Sequence, residues 1–189
     1  MVNVEFNFIF VLMLALAGTL ALGADARWAG AEVLMTEKAA LERAFPGRAP
    51  ERRILYLTDA QVAAVQKAAR SKLPSAVVTV FEDRFAAASL GRALLDTHVV
   101  RTMPETVMTV VGPDGSLRMA LVLQFGEPPD YLPREGWLRS FEGKGLDEEL
   151  WPGRGIHRVS GATLTVQALT EAVRRCLAID ALVVRGGKS

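Results

Sequence analysis

Ser160-Gly161-Ala162-Thr163-Leu164-Thr165 is the stretch whose residue types and spacing best suit chemistry. The small residues make a tight turn, and Gly161 lets the backbone bend or lets a ligand come close. A helix-forming run, 163–178, follows directly. The first N–H groups of a helix have no intrahelical partner and point outward, which suits an anion and above all a phosphate. Thr163 presents a hydroxyl at that spot, and Ser160 is placed to cap the helix. Without further context the same pattern describes a plain N-cap with no ligand.

Elsewhere chemistry-bearing residues are sparse. Cys176 is the only cysteine, which excludes an intrachain disulfide, a CxxCH haem site, an iron–sulfur centre and a cysteine-built zinc site. The two histidines, His98 and His157, are too few for a three-histidine metal site. Asp96 and His98 lie two apart on a predicted strand with no nucleophile beside them, and read as structural. Cys176 falls on the apolar stripe of the last helix and reads as core. No catalytic or metal-ligating set is expected, so any redox group must be organic or borrowed from a partner. With 22 basic and 21 acidic residues, nothing points to nucleic acid.

These residues need elements to position them. Residues 35–45 predict a short helix capped by Thr36 and stopped by Pro46 and Gly47. A second helix starts at the Thr58/Gln61 capping box, runs through Val62, Val65, Ala69 and Leu73, and closes at Pro74. The character then changes to β-branched runs. Strands are predicted at 76–81, at 86–95 (weakened by Gly91), at 106–111 and at 117–125, with a hairpin at Asp114-Gly115. In the last strand Leu117, Met119, Leu121 and Leu123 alternate onto one face. A Pro-rich loop at 127–134, a short helix at 135–141 carrying Trp137 and a Gly-rich loop follow. The last helix carries the stripe Val166, Leu169, Val173, Cys176 and Leu177, with Arg174 and Arg175 towards its C-terminal end. The reading is a single α+β domain, a small antiparallel sheet packed by helices.

The chain begins with an apolar run, Phe8 to Leu22 being nearly all apolar, followed by Ala24-Asp25-Ala26, which fits the small-x-small rule for signal cleavage. Either a cleaved signal or a retained membrane anchor is expected, and both put the domain outside the cytoplasm. The expected division is 1–26 signal or anchor, 27–74 N-terminal helical part, 75–182 main domain and 183–189 tail.

SGATLT followed by this type of helix resembles the C-terminal end of the FMN-binding domain family, which includes covalent-flavin subunits of the sodium-pumping NADH:quinone reductase and of the Rnf electron-transport complex. Asp96 to Thr102, Pro104-Glu105-Thr106, Pro113-Asp114-Gly115 and Glu127-Pro128 with Tyr131 and Trp137 extend the likeness over about 75–179. The resemblance implies FMN joined to Thr163 by a phosphodiester, made by a flavin transferase that uses FAD. It implies an extracytoplasmic electron-transfer flavoprotein that serves a membrane redox partner, a cytochrome or quinone-linked subunit, rather than an enzyme with its own substrate. Ser160, Gly161, Ala162, Leu164 and Thr165 would surround the attachment point. Tyr131, Trp137 and Trp151 would flank the flavin ring or else close the core. Glu127 would bond the ring or ribityl chain, or else sit on the loop surface. Lys144 would favour the reduced flavin's anion, or else be an ordinary surface lysine. The family's usual acid three positions before the motif is His157 here. That departure keeps two alternatives open, a non-covalent FMN-binding module and a flavin-free accessory or assembly protein of a membrane redox complex.

Overall fold

A computed structural model describes residues 31–84 and 88–188. The apolar N-terminal run lies outside the described residues. Ala31 to Ser189 form one compact unit. In chain order the elements are β1 (Glu32–Val33), α1 (Glu37–Ala44), β2 (Glu51–Tyr56), α2 (Asp59–Ala69), β3 (Val77–Glu82), β4 (Arg92–Val99), β5 (Pro104–Val111), β6 (Leu117–Phe125), α3 (Glu135–Leu138) and α4 (Thr163–Ile179). The six strands form one sheet in the order β1-β6-β5-β4-β3-β2, with every neighbouring pair antiparallel. The α+β reading therefore holds, in a wider sheet than the four expected strands. The N-terminal helical part expected at 27–74 also supplies β1 and β2, one at each edge. Glu51 to Tyr56 carries three charges in six residues, which hides its strand character; pairing with β3 from Glu51–Glu82 to Tyr56–Val77 makes it a strand.

Local signals set the helices. Thr36 Oγ1 accepts from Ala39 N–H at the start of α1. The Thr58/Gln61 capping box opens α2 as expected. That helix stops earlier than expected, because Arg70 takes the left-handed conformation at φ 55° and Leu73 lies beyond the helix end. β4 starts at Arg92, after Gly91 at φ 97°, rather than before it.

The sheet divides two cores. On one face α2 and α4 bury Val65, Ala69, Leu169, Val173 and Cys176 against Val80, Leu94, Val107 and Val122. On the other, α1 buries Ala40, Ala44 and Phe45 against Phe81, Met108, Val110 and Leu121. Two register irregularities between β5 and β6 correct the expected alternation. The bulge near Val110/Val111 sends Leu117 to the α4 side, whereas Met119, Leu121 and Leu123 stay on the α1 side.

α4 is anchored at its C-terminal end. Asp180, just past the helix, is fully buried and accepts from Arg92 at the start of β4 and from Arg185 at 2.8 Å. Arg92 also donates to Gly112 O at 3.0 Å in the β5–β6 turn. A Cβ on Gly91 would meet Val111 O at 1.9 Å, so only glycine fits between these strands. Gly91→Ala is expected to lower stability by about 2 kcal/mol or more in chemical denaturation, through both the clash and the positive φ.

Candidate functional site

α4 lies antiparallel to β4. Arg175 reaches Asp96, and five residues on Asp180 reaches Arg92. Tracing α4 backwards therefore leads from the start of β4 towards its end. Thr163 stands twelve residues before Arg175, which is about 18 Å along a helix. The N-terminus of α4 thus lies towards the sheet end formed by the β4–β5 connection and the exit of β6.

At that helix start the expected cap is absent. Ala162 holds the N-cap position at φ −114°, and no side chain bonds the first turn. Ser160 is exposed and is not the cap. The reason is the extra turn ahead of the helix, where Ala162 N–H reaches back to Val159 O and Gly161 takes φ 82°. No atom lies within 4 Å of a Cβ built on Gly161, so this turn is open to solvent. Thr163 and Leu164 are exposed, whereas Ala162 and Thr165 are buried and face the core. The result is an uncapped N-terminus on a 17-residue helix with an exposed threonine as its first residue.

The segment leading into the turn is held by Trp137, whose indole N–H donates to His157 O at 2.6 Å. Its ring meets Phe141 edge-on at 5.0 Å. Trp137 is thus half-buried and positions the motif. Glu127 serves the neighbouring loop. Its Oε1 accepts from the N–H groups of Arg101, Thr102 and Met103 at 3.1, 2.8 and 3.0 Å, which shapes the β4–β5 connection. The Thr102 N–H bond is the main reason its carboxyl sits below the usual range, reinforced by Met103 and Arg101 against the opposing effect of burial. This oxygen is already engaged, so Glu127 builds the loop. Tyr131 packs at the same end, its ring centre 5.8 Å from the Arg101 guanidinium.

Two candidates are engaged otherwise. The Lys144 carbonyl accepts from Leu117 N–H at 2.8 Å, at the start of β6. Its ammonium lies 3.8 Å from Glu149 and 3.0 Å from where a Cβ on Gly155 would stand, beside the segment that leads to the motif. Trp151 stacks under Arg174 at 4.3 Å. Arg174 and Arg175 do not serve the helix end from solvent. Both are buried, Arg174 donating to the carbonyls of Ala69 and Asp147 at 3.0 and 2.7 Å.

The structure also assembles a constellation that the spacing of Asp96 and His98 only half revealed. Arg175 makes a two-pronged bond to Asp96 at 2.7 and 2.8 Å. Asp96 Oδ1 lies 2.9 Å from His98 Nδ1, and His98 Nε2 lies 3.1 Å from Glu105 Oε2. His98 and Glu105 face each other across β4 and β5. Burial opposes the ionised form of Asp96, but the bonds from Arg175 and His98 outweigh it and hold the carboxyl low. For His98 burial likewise opposes the cation, and Asp96 and Glu105 overcome it, raising the imidazole to about 9. Glu105 is raised, because burial outweighs what His98 returns. Among the described residues no group of His, Cys, Asp and Glu is arranged to hold a metal ion. Burial pushes the Cys176 thiol up, which keeps it inert in the core.

Searches against protein-family models, curated proteins and solved structures find no match to this chain. What the geometry defines is an α+β domain with an open hydroxyl at an uncapped helix start and a buried ion chain beneath the same sheet end.

The ion chain predicts a pH dependence. A raised histidine stabilises the fold fully below its unfolded value near 6.5 and loses that contribution as pH rises through about 9. The shift corresponds to about 3 kcal/mol. Urea unfolding of the protein is expected to weaken between pH 6.5 and 9, and His98→Gln to be less stable at pH 6 with most of that slope removed. A parallel pH profile in the variant would show that His98 does not carry the effect.

Proposed function

We propose that the protein is an extracytoplasmic electron-transfer flavoprotein with FMN linked by a phosphodiester to Thr163. The observation that carries the reading is the exposed Thr163 hydroxyl at the start of α4, where no side chain caps the first-turn N–H groups. Those N–H groups and the positive end of the helix dipole suit a phosphate attached at that oxygen. The open turn at Gly161 leaves room for it. The resemblance of Ser160 to Thr165 to the FMN-binding domain family supplies the identity of the group.

In this reading the Thr163 oxygen displaces AMP from the FMN phosphorus of FAD and gives up its proton, with a flavin transferase as catalyst. When bound, FMN supplies one- and two-electron chemistry. The chain's own residues position it. Trp137 fixes the approach to the turn through the His157 carbonyl, and Glu127 fixes the β4–β5 connection. Tyr131 and Arg101 offer a flat, cationic wall at the same sheet end. The tether keeps the cofactor in a compartment where lost FMN is not readily replaced, and the electrons pass to or from a membrane redox protein.

One observation favours a second reading, a non-covalent FMN-binding module. His157, exposed, stands where the FMN-binding domain family usually carries an acid. Co-expression with a flavin transferase separates the two. The denatured protein should gain the mass of FMN less one water, and Thr163→Ala should gain nothing. Flavin that leaves on denaturation would support the non-covalent module, and a colourless protein would overturn both.

A further inference from the structure

Four charged side chains run in a continuous buried line from α4 into the sheet: Arg175, Asp96, His98 and Glu105. Burying them carries a cost, because taking charges out of water offsets much of what their pairing returns. Buried, mutually perturbed titratable groups of this kind concentrate where chemistry is done. The line is also asymmetric. Its Asp96 end is saturated, with both oxygens bonded by Arg175 and one of them also by His98. Its other end is unfinished: Glu105 is 0% exposed, and its Oε1 has no hydrogen-bond partner among the described residues. An ionised carboxylate with one bare oxygen in an apolar setting gains by taking a proton.

Position gives that proton a use. Glu105 is the second residue of β5, at the sheet end towards which α4 points its N-terminus. From the Arg175–Asp96 level, His98 and Glu105 lie two strand residues, about 7 Å, nearer to Thr163. That leaves roughly 11 Å between their level and the helix start. Added negative charge at such a distance is felt by a carboxylate that is itself buried out of water. We propose that Glu105 is the proton-accepting group for the cofactor site, its carboxylate taking one proton from solvent when negative charge arrives on a flavin carried by Thr163. The inference rests on the flavin reading above.

The step balances simply. The flavin gains two electrons from the redox partner and one proton, which leaves it one negative charge richer. Glu105 changes from carboxylate to carboxylic acid with one further proton. His98, bonded to Glu105 Oε2, is raised to about 9 by Asp96 as well as by Glu105, and keeps its Asp96 partner when Glu105 is neutralised. The charged groups facing Glu105 are His98 and Asp96 from β4 and Arg175 from α4, with Glu171 beyond Arg175 at 3.8 Å. Phe125, opposite on β6, is uncharged, and Glu127 and Arg101 belong to the connections at this sheet end. Glu105 is therefore the member of the line with both a raised proton affinity and an unused oxygen.

The test uses the full flavin-loaded protein, reduced by dithionite under controlled potential from pH 7 to 8.5. The slope of the midpoint potential against pH gives protons taken up per two electrons. The wild type should take up close to one proton more than Glu105→Gln somewhere in this window. An infrared difference spectrum of the wild type, reduced minus oxidised, should gain the carbonyl band of a protonated carboxyl, and this readout stands even if the variant fails to fold. Bound flavin with equal proton counts in the two proteins, or no such band in the wild type, overturns the inference and leaves the flavin reading intact. A protein that binds no flavin overturns both.

Discussion

The two-pronged bond between Arg175 and Asp96 fixes the relation of α4 to the sheet, and most of what gives this domain a site follows from it. A guanidinium and a carboxylate buried together tolerate little misalignment, because each would then be left charged and unpaired in an apolar setting. The bond sets both the height and the direction of α4 along β4. With Asp180 and Arg92 as a second fastening further along, the helix cannot slide or tilt freely. Its N-terminus is consequently delivered to one end of the sheet.

That end is built from pieces distant in sequence. Glu127 gathers three backbone N–H groups of the β4–β5 connection, Trp137 clamps the carbonyl of His157, and Arg101 lies against Tyr131. Each of these polar contacts serves shape, holding a backbone segment or a loop still. Among the described residues, the groups with spare capacity that concern the start of α4 include its uncapped first turn, the Thr163 hydroxyl, and the bare oxygen of Glu105. The first two face solvent and suit an attached anion. The third lies beneath the sheet surface and suits a proton. A cofactor whose charge changes with its redox state makes use of both, which is why the outer and inner features read as one site.

The sheet's remaining surface is unevenly covered. α1 covers the face opposite α4 over β6, β5, the first part of β4 and the Phe81 end of β3, and Ile54, Tyr56, Val77 and Val99 beyond it are exposed. The asymmetry follows from the topology. β1 and β2 sit at opposite edges, so the single connection across this face must be long, and an eight-residue helix fills only part of it.

By itself the sequence determined the local features. Thr36 and the Thr58/Gln61 box fixed the helix starts, the β-branched runs marked β3 and β5, the apolar alternation marked β6, and the stripe from Val166 to Leu177 fixed the inward face of α4. These depend on contacts within a few residues, so their pattern survives in one dimension. The motif at Ser160 to Thr165 was legible in the same way, down to the helix it opens, although Ser160 proved not to cap it. Tertiary structure alone decided the rest. β2 is a strand because β3 offers it an edge, and Leu117 changes face because a bulge shifts the register. Lys144 pairs its carbonyl with Leu117 and sets its ammonium beside Glu149, and Glu127 turns to the backbone of residues 101–103. Asp96, His98, Glu105 and Arg175 become one ion chain only when β4, β5 and α4 are packed together. Asp96 and His98 are only two residues apart, but Glu105 lies seven residues from His98 and Arg175 seventy-nine from Asp96, and no spacing rule spans those distances.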